Sequence, residues 1–160
     1  MKKILVNLGM GGHTSQILRL VNLLGPNYIY EYVIGHDDQT SAKKVKFPGK
    51  VYVIKNPRLM KDKSLIKVVF NMLPTTIGAF KVLWESKPNV IISAGPSMAI
   101  PLLWLARVMG IKTIFIESWV RVHHKSKTGK LVYPISNLFF VQWPTMKKVY
   151  PKAIYAGRLS

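Results

Sequence analysis

Lys2-Lys3-Ile4-Leu5-Val6-Asn7-Leu8 runs directly into Gly9-Met10-Gly11-Gly12-His13-Thr14-Ser15 and on into Gln16-Ile17-Leu18-Arg19-Leu20-Val21. The stretch reads as a buried strand, a glycine-rich turn and the start of a helix. Glycines let the backbone approach a ligand closely, and the free N–H groups at a helix N-terminus attract anions. A ligand carrying phosphate is therefore the first expectation. A histidine stands directly after the glycines, at the mouth of the helix.

The same alternation continues along the chain. Strand-type runs are predicted at residues 3–8, 28–34, 51–54, 90–93, 113–117, 138–142 and 153–155. Helical runs are predicted at 14–24, 64–84 with a bend at Pro74, 97–109 and 145–149. Near-continuous apolar strands alternating with helices call for an α/β fold with a parallel sheet covered on both faces. Gly25-Pro26, Lys87-Pro88 and Gly110 fall where helices should stop. Residues 118–134, rich in Lys, His, Ser and Thr, read as a long loop after a strand, a usual place for function.

With 160 residues, 49% of them hydrophobic, the chain is one domain or half of a two-domain protein. It has no cysteine, which excludes disulfides, thiolate chemistry and Cys-based zinc sites, and fits a reducing compartment. Its 24 Lys and Arg against 6 Asp and Glu give a formal net charge of +18. Such a surface seeks anionic lipid headgroups, nucleic acid or phosphorylated substrates. The N-terminal apolar run is too short for a signal peptide. In the apolar stretch 64–84, Lys67 and Lys81 bracket 13 uncharged residues interrupted by Pro74. A span needs about 20 apolar residues, so an interfacial helix is expected instead.

Several constellations carry chemistry, each beside a plainer reading. Gly9-x-Gly11 matches half of a dinucleotide fingerprint, and Asp37 and Asp38 follow the second strand as a ribose-binding acid would. Thr14, however, occupies the place of the third glycine, so another phosphorylated ligand, or a tight turn with no ligand, competes. Thr128-Gly129-Lys130-Leu131 is not a Walker A loop, since it lacks the hydroxyl residue after the lysine. His13 is either a capping histidine or a general base for a substrate at the strand's carboxyl end. Ser93-Ala94-Gly95-Pro96-Ser97 repeats the strand–glycine–helix pattern, unless Gly95 only permits the bend and Pro96 only opens a helix. Glu117, at the end of the fifth strand, is either salt-bridged to Arg121 or available to orient a hydroxyl or act as a base. Around Lys63, Lys67 and Lys81, apolar residues including Phe70, Met72 and Leu73 cover more of the 64–84 helix than a core-facing stripe needs, which points to a membrane or partner contact.

Gly11-Gly12-His13-Thr14, Ser93-Ala94-Gly95-Pro96, Ile116-Glu117-Ser118-x-x-Arg121-Val122, Thr128-Gly129-Lys130-Leu131, Val141-Gln142-Trp143-Pro144 and Tyr150-Pro151 through Gly157 occur in this order. Together they resemble the membrane-anchor subunits of the two-subunit UDP-GlcNAc transferase of dolichol-linked oligosaccharide synthesis, and their bacterial relatives in capsular and exopolysaccharide synthesis. The resemblance implies a split GT-B glycosyltransferase, with residues 1–160 forming one Rossmann-like, acceptor-side domain. It implies a partner chain that supplies the donor-binding half, a polyprenyl-diphosphate-linked sugar as acceptor, and an anionic membrane surface on the cytoplasmic face. No cofactor and no metal are expected. His13 and Glu117 become the candidate catalytic groups. Gly11, Gly12, Thr14, Gly95, Pro96, Ser97 and Arg121 become the candidate acceptor and phosphate ligands. Lys63, Lys67, Phe70, Met72, Leu73 and Lys81 become the candidate membrane contacts. Two features depart from the family pattern. The expected membrane attachment is peripheral rather than through an N-terminal span, and Gln16 stands where the Gly-Gly-His-Thr-x-Glu pattern carries an acid. A purely structural recruiter of the catalytic partner is the alternative. A basic RNA-binding domain is the weaker one: no RNA-binding motif or aromatic stacking platform is present, so no nucleic acid partner is expected.

Overall fold

The computed structural model describes residues 1–38, 40–57 and 65–159, with the backbone alone for residues 65–71. Seven strands form one parallel sheet: β1 (Lys3–Asn7), β2 (Ile29–Gly35), β3 (Val51–Ile54), β4 (Val90–Ser93), β5 (Lys112–Ile116), β6 (Leu138–Val141) and β7 (Ile154–Tyr155). The helices are α1 (Gly12–Leu24), α2 (Leu65–Ser86), α3 (Ala99–Val108) and α4 (Lys127–Val132). The strand order is β3-β2-β1-β4-β5-β6-β7.

Alternate residues of each strand feed separate cores on the two faces. Ile4 and Val6 of β1 join Ile17, Leu18 and Val21 of α1. Leu5, between them, joins Ala79, Val82 and Leu83 of α2 and Leu102, Leu103 and Ala106 of α3. The period of two along β1 thus matches a strand buried on both sides. From β1 the chain crosses through α1 to β2 in one direction. From β4 it crosses through α3 to β5 in the other. Between the carboxyl ends of β1 and β4, the order reverses, which is where open parallel sheets bind their ligands.

The predicted strands are all present, within one residue at each end. The helices depart more. Pro74 stands inside α2 without ending it; beside it Thr76 Oγ1 donates to the Met72 carbonyl (2.7 Å) and Thr75 Oγ1 ties the helix to the Lys55 carbonyl (2.8 Å). Residues 145–149 are a 3-10 turn, Pro144–Lys148, rather than an α-helix. The expected loop at 118–134 contains α4, whose N-cap Ser126 accepts a hydrogen bond from the Gly129 amide (2.8 Å).

Candidate functional site

A cleft of about 780 Å³ opens over the carboxyl ends of the strands. The turn after β1 supplies Met10, Gly11 and His13. The turn after β4 supplies Gly95, Pro96 and Ser97. The far wall comes from Glu117, Ser118, Arg121, Ser126 and Lys127, and Asn56 closes the side beyond β3. The two glycine turns therefore share one site, although they lead into helices on opposite faces of the sheet.

Both turns meet at His13. A Cβ on Gly95 would lie 2.5 Å from His13 Cε1 and 2.8 Å from Nδ1, so the imidazole occupies the space that a side chain there would need. Gly95 also has φ +101°, a conformation that side chains rarely adopt. On the other side, a Cβ on Gly9 would meet the His13 and Pro96 side chains at 2.9 and 3.1 Å. His13 Nδ1 is buried without a hydrogen-bond partner. Burial pulls the imidazole below its ordinary value of 6.5; the Ala94 backbone and Glu117 partly restore it, and Arg121 lowers it again. His13 is thus the neutral imidazole at pH 7, the form that accepts a proton. Because its folded value lies below its unfolded one, the associated stability is present above pH 6.5 and is lost as pH falls through the folded value. His13→Gln is expected to flatten that acid limb in thermal melts recorded below pH 6.5; an unchanged limb contradicts the assignment.

Neither helix N-terminus at the cleft is sealed by its own side chains. α1 begins after Gly11 (φ 62°) and α3 after Met98, and neither cap residue makes a side-chain capping bond. The first-turn amides of α1, with the positive ends of both helix dipoles, suit an anion at this point, whereas the Ala99 and Ile100 amides of α3 already donate to the Pro96 and Ser97 carbonyls (3.0 and 3.2 Å). Arg121 and Lys127 add exposed cations on the rim.

Glu117 is 1% exposed. Its carboxylate is held by hydrogen bonds rather than by the salt bridge to Arg121 that the sequence suggested. Oε1 accepts from the Ser118 amide (3.0 Å). Oε2 accepts from the Ser126 amide (3.2 Å), Ser126 Oγ (3.0 Å) and Tyr150 Oη (2.9 Å). Burial, then the neighbouring carboxylate, raises the Tyr150 phenol far above its ordinary value, so it stays a proton donor. Glu117 thereby pins the segment between β5 and α4 against the cleft.

Of the sequence-predicted ligands, Gly11, Gly95, Pro96, Ser97 and Arg121 line the cleft with His13 and Glu117. Gly12 lies exposed beside it, within 3.9 Å of the Trp119 ring if it carried a Cβ. Thr14 turns inward: it is fully buried, with its hydroxyl 2.7 Å from Ser41 Oγ. Asp38 accepts from the Thr40 and Ser41 amides, and Asp37 from Asn56 Nδ2. Both acids are engaged in the turns beyond β2. Sequence reasoning missed Asn56, whose Oδ1 accepts from Ser97 Oγ (3.0 Å), and Ser126. The position of Asn56, two residues past a strand's carboxyl end, was the available signal.

A family model described as "Oligosaccharide biosynthesis protein Alg14 like" matches residues 4–159. The chain belongs to the Alg14-like family. Among its relatives, the UDP-N-acetylglucosamine transferase subunits ALG14 of Homo sapiens and Rattus norvegicus are 34% and 33% identical over 177 residues, covering 98% of this chain and 82% of each relative. The fission yeast subunit is 30% identical over 174 residues with the same coverage. Among solved structures, Acinetobacter baumannii MurG superposes with a TM-score of 0.69 at 16% identity, over 90% of this chain and 42% of MurG. UDP-GlcNAc 2-epimerase from Neisseria meningitidis, bound to UDP-GlcNAc, gives 0.69 at 13% identity, over 98% of this chain and 47% of the epimerase. These likenesses are of fold: a Rossmann-like half of the GT-B type, spanning less than half of each solved structure. The family's members act as glycosyltransferase subunits in oligosaccharide biosynthesis, which requires a second chain.

Proposed function

We propose that this chain is the acceptor-side, membrane-recruiting subunit of a two-chain transferase that moves N-acetylglucosamine from UDP-GlcNAc to a polyprenyl-diphosphate-linked sugar. The observation that carries the reading is the convergence of two glycine turns, from crossovers on opposite faces of the sheet, around one half-buried histidine. In this reading the acceptor's diphosphate lies between the N-termini of α1 and α3, with Arg121 and Lys127 at its edge. The acceptor hydroxyl attacks the anomeric carbon of the donor held by the partner. The new C–O bond forms as the bond to the diphosphate breaks, with inversion. Neutral His13 takes the hydroxyl proton. Glu117 serves as a positioning residue, since its carboxylate accepts from Ser118 and Ser126 of its own loop and from Tyr150. That full occupancy is also what favours the recruiter alternative, in which His13 too is dispensable.

The membrane side of the proposal rests on the outer face of α2. Leu73, Ile77, Phe80 and Trp84 follow one another at helical spacing and are 68%, 50%, 46% and 63% exposed. Phe80 and Trp84 stack at 5.9 Å, and Lys81 is exposed beside them. Trp104 and Val108 add further exposed apolar area on α3. Of the sequence-predicted contacts, Leu73 and Lys81 are exposed and Met72 is half-buried; Lys63 and the side chains of Lys67 and Phe70 lie outside the described residues. No helix among the described residues is long and apolar enough to cross a membrane. Peripheral binding by an apolar stripe flanked by cations, at the cytoplasmic face, fits these features.

The test is reconstitution on anionic vesicles that carry a polyprenyl-diphosphate-linked sugar, with UDP-GlcNAc as donor. Transfer is expected only when this chain and its donor-binding partner are both present. Phe80→Ser combined with Trp84→Ser should release the chain from the vesicles. His13→Ala should lower transfer about 10²–10⁴-fold, the usual worth of a general base. Transfer by the partner alone overturns the reading, and full transfer by the His13→Ala pair replaces it with the recruiter.

A further inference from the structure

Below the cleft, two buried amides meet at one carbonyl. The Glu117 backbone oxygen accepts from Gln16 Nε2 (3.3 Å) and from Gln142 Nε2 (2.8 Å). Gln16 is 0% and Gln142 3% exposed. Each amide uses its oxygen on a different backbone N–H: Gln16 Oε1 accepts from Trp119 (3.3 Å), and Gln142 Oε1 accepts from Leu159 (2.9 Å). Arg19 then donates to the Leu159 carbonyl (3.0 Å). The path closes on itself, since Gln16 and Arg19 are neighbours one turn apart on α1. Neither amide can be reversed without setting oxygen against oxygen and N–H against N–H in a dry interior.

We infer that Gln16 and Gln142 are positioning residues that make the setting of Glu117, and of the loop it holds over the cleft, depend on where residues 157–159 lie. Glu117 is the junction. Its carbonyl takes both amides, and its carboxylate takes Ser118, Ser126 and Tyr150. A parallel link runs beside it: Arg158 covers the Trp143 ring at 4.6 Å, and Trp143 Nε1 donates to the Trp119 carbonyl (2.6 Å). A disturbance at Leu159 therefore reaches Trp119 through contiguous polar contacts, the kind of path along which coupling is carried. Gln16 is fully buried, and both ends of its amide are engaged in this latch. The inference leans on the proposed function only for its consequence in catalysis; the latch itself is read without ligand or partner.

Backbone amide exchange on the full chain tests it. Leu159→Pro deletes one N–H donor outside the cleft, together with the Leu159 side chain that packs on the core, a loss that Leu159→Ala shares. The Trp119 amide is expected to exchange roughly three- to tenfold faster, the worth of one hydrogen bond passed along the chain. The Tyr32 amide, bonded to the Lys50 carbonyl on the far side of the sheet, should not change. Leu159→Ala keeps the donor and should keep the original rate. Gln142→Met should reproduce the proline variant, and the double variant should add nothing further. An unchanged Trp119 amide in both variants, an equal rise at Tyr32, or additive effects in the double variant each overturn the latch. Loss of transfer with an intact latch would count against the proposed function instead.

Discussion

Gly95→Ala is expected to reduce transfer by the reconstituted pair at least about a hundredfold, the loss that follows when a reacting group is displaced by about 1 Å. The added methyl would sit 2.5 Å from His13 Cε1, so the imidazole must leave its place. The backbone at φ +101° resists the substitution as well. Gly11→Ala is the matched control. Its φ is +62°, but a Cβ there meets nothing within 4 Å. With ψ −123° as well, Gly11 sits outside the left-handed helical region, in a conformation that suits only glycine, so the substitution should cost about 1–3 kcal/mol of backbone strain and leave His13 where it is. Steady-state kinetics beside thermal melts separate the two. Equal activity losses in both variants would show that strain, and not the collision with His13, is what matters.

Glu117→Ala should be the most destabilising single substitution in the site. It leaves the Ser118 amide, the Ser126 amide, Ser126 Oγ and Tyr150 Oη without their acceptor in a buried pocket. Orphaned buried donors cost about 1–3 kcal/mol each, without full additivity, so a loss of about 3 kcal/mol or more is expected. In a chain of this length that lowers the melting temperature by roughly 6–12 °C. Glu117→Gln keeps the shape and one acceptor oxygen, and should lose about half as much. As a positioning residue, Glu117 predicts that activity follows stability across the two variants. Glu117→Gln with an unchanged melt and lost transfer would instead put the carboxylate on the reacting atoms.

The strands, the parallel sheet and both glycine turns were legible because each carries a local signal: continuous apolar runs, and glycine at a strand's end. What joins them was not. Nothing local in Val51–Ile54 shows that β3 pairs outside β2, or that the chain then returns to place β4 beside β1. That pairing alone brings Gly95 onto His13. α4 was hidden because it is six residues long and contains Thr128, Gly129 and Val132, all weak helix formers. It persists because Ser126 caps it and Val132 is buried in the core. The excess apolar surface of the 64–84 segment was visible, but not its direction. Leu83 faces the core with no exposure while its neighbour Trp84 is 63% exposed, and only packing against the sheet decides between them. Thr14 looked like a ligand because of its place in the sequence, yet its hydroxyl serves Ser41.

The parallel sheet also gives this domain a direction. Every strand points its carboxyl end toward the pole that carries the cleft and its amino end toward the opposite pole, where the turns around Gly25, Lys87 and Gly110 carry positive φ. A strand of five residues, at about 3.3 Å each, keeps that pole some 16 Å from the chemistry. Fluorophores, affinity handles or cross-linkers introduced there would report on the subunit without entering its site. Labels placed at the other pole would stand in the cleft itself.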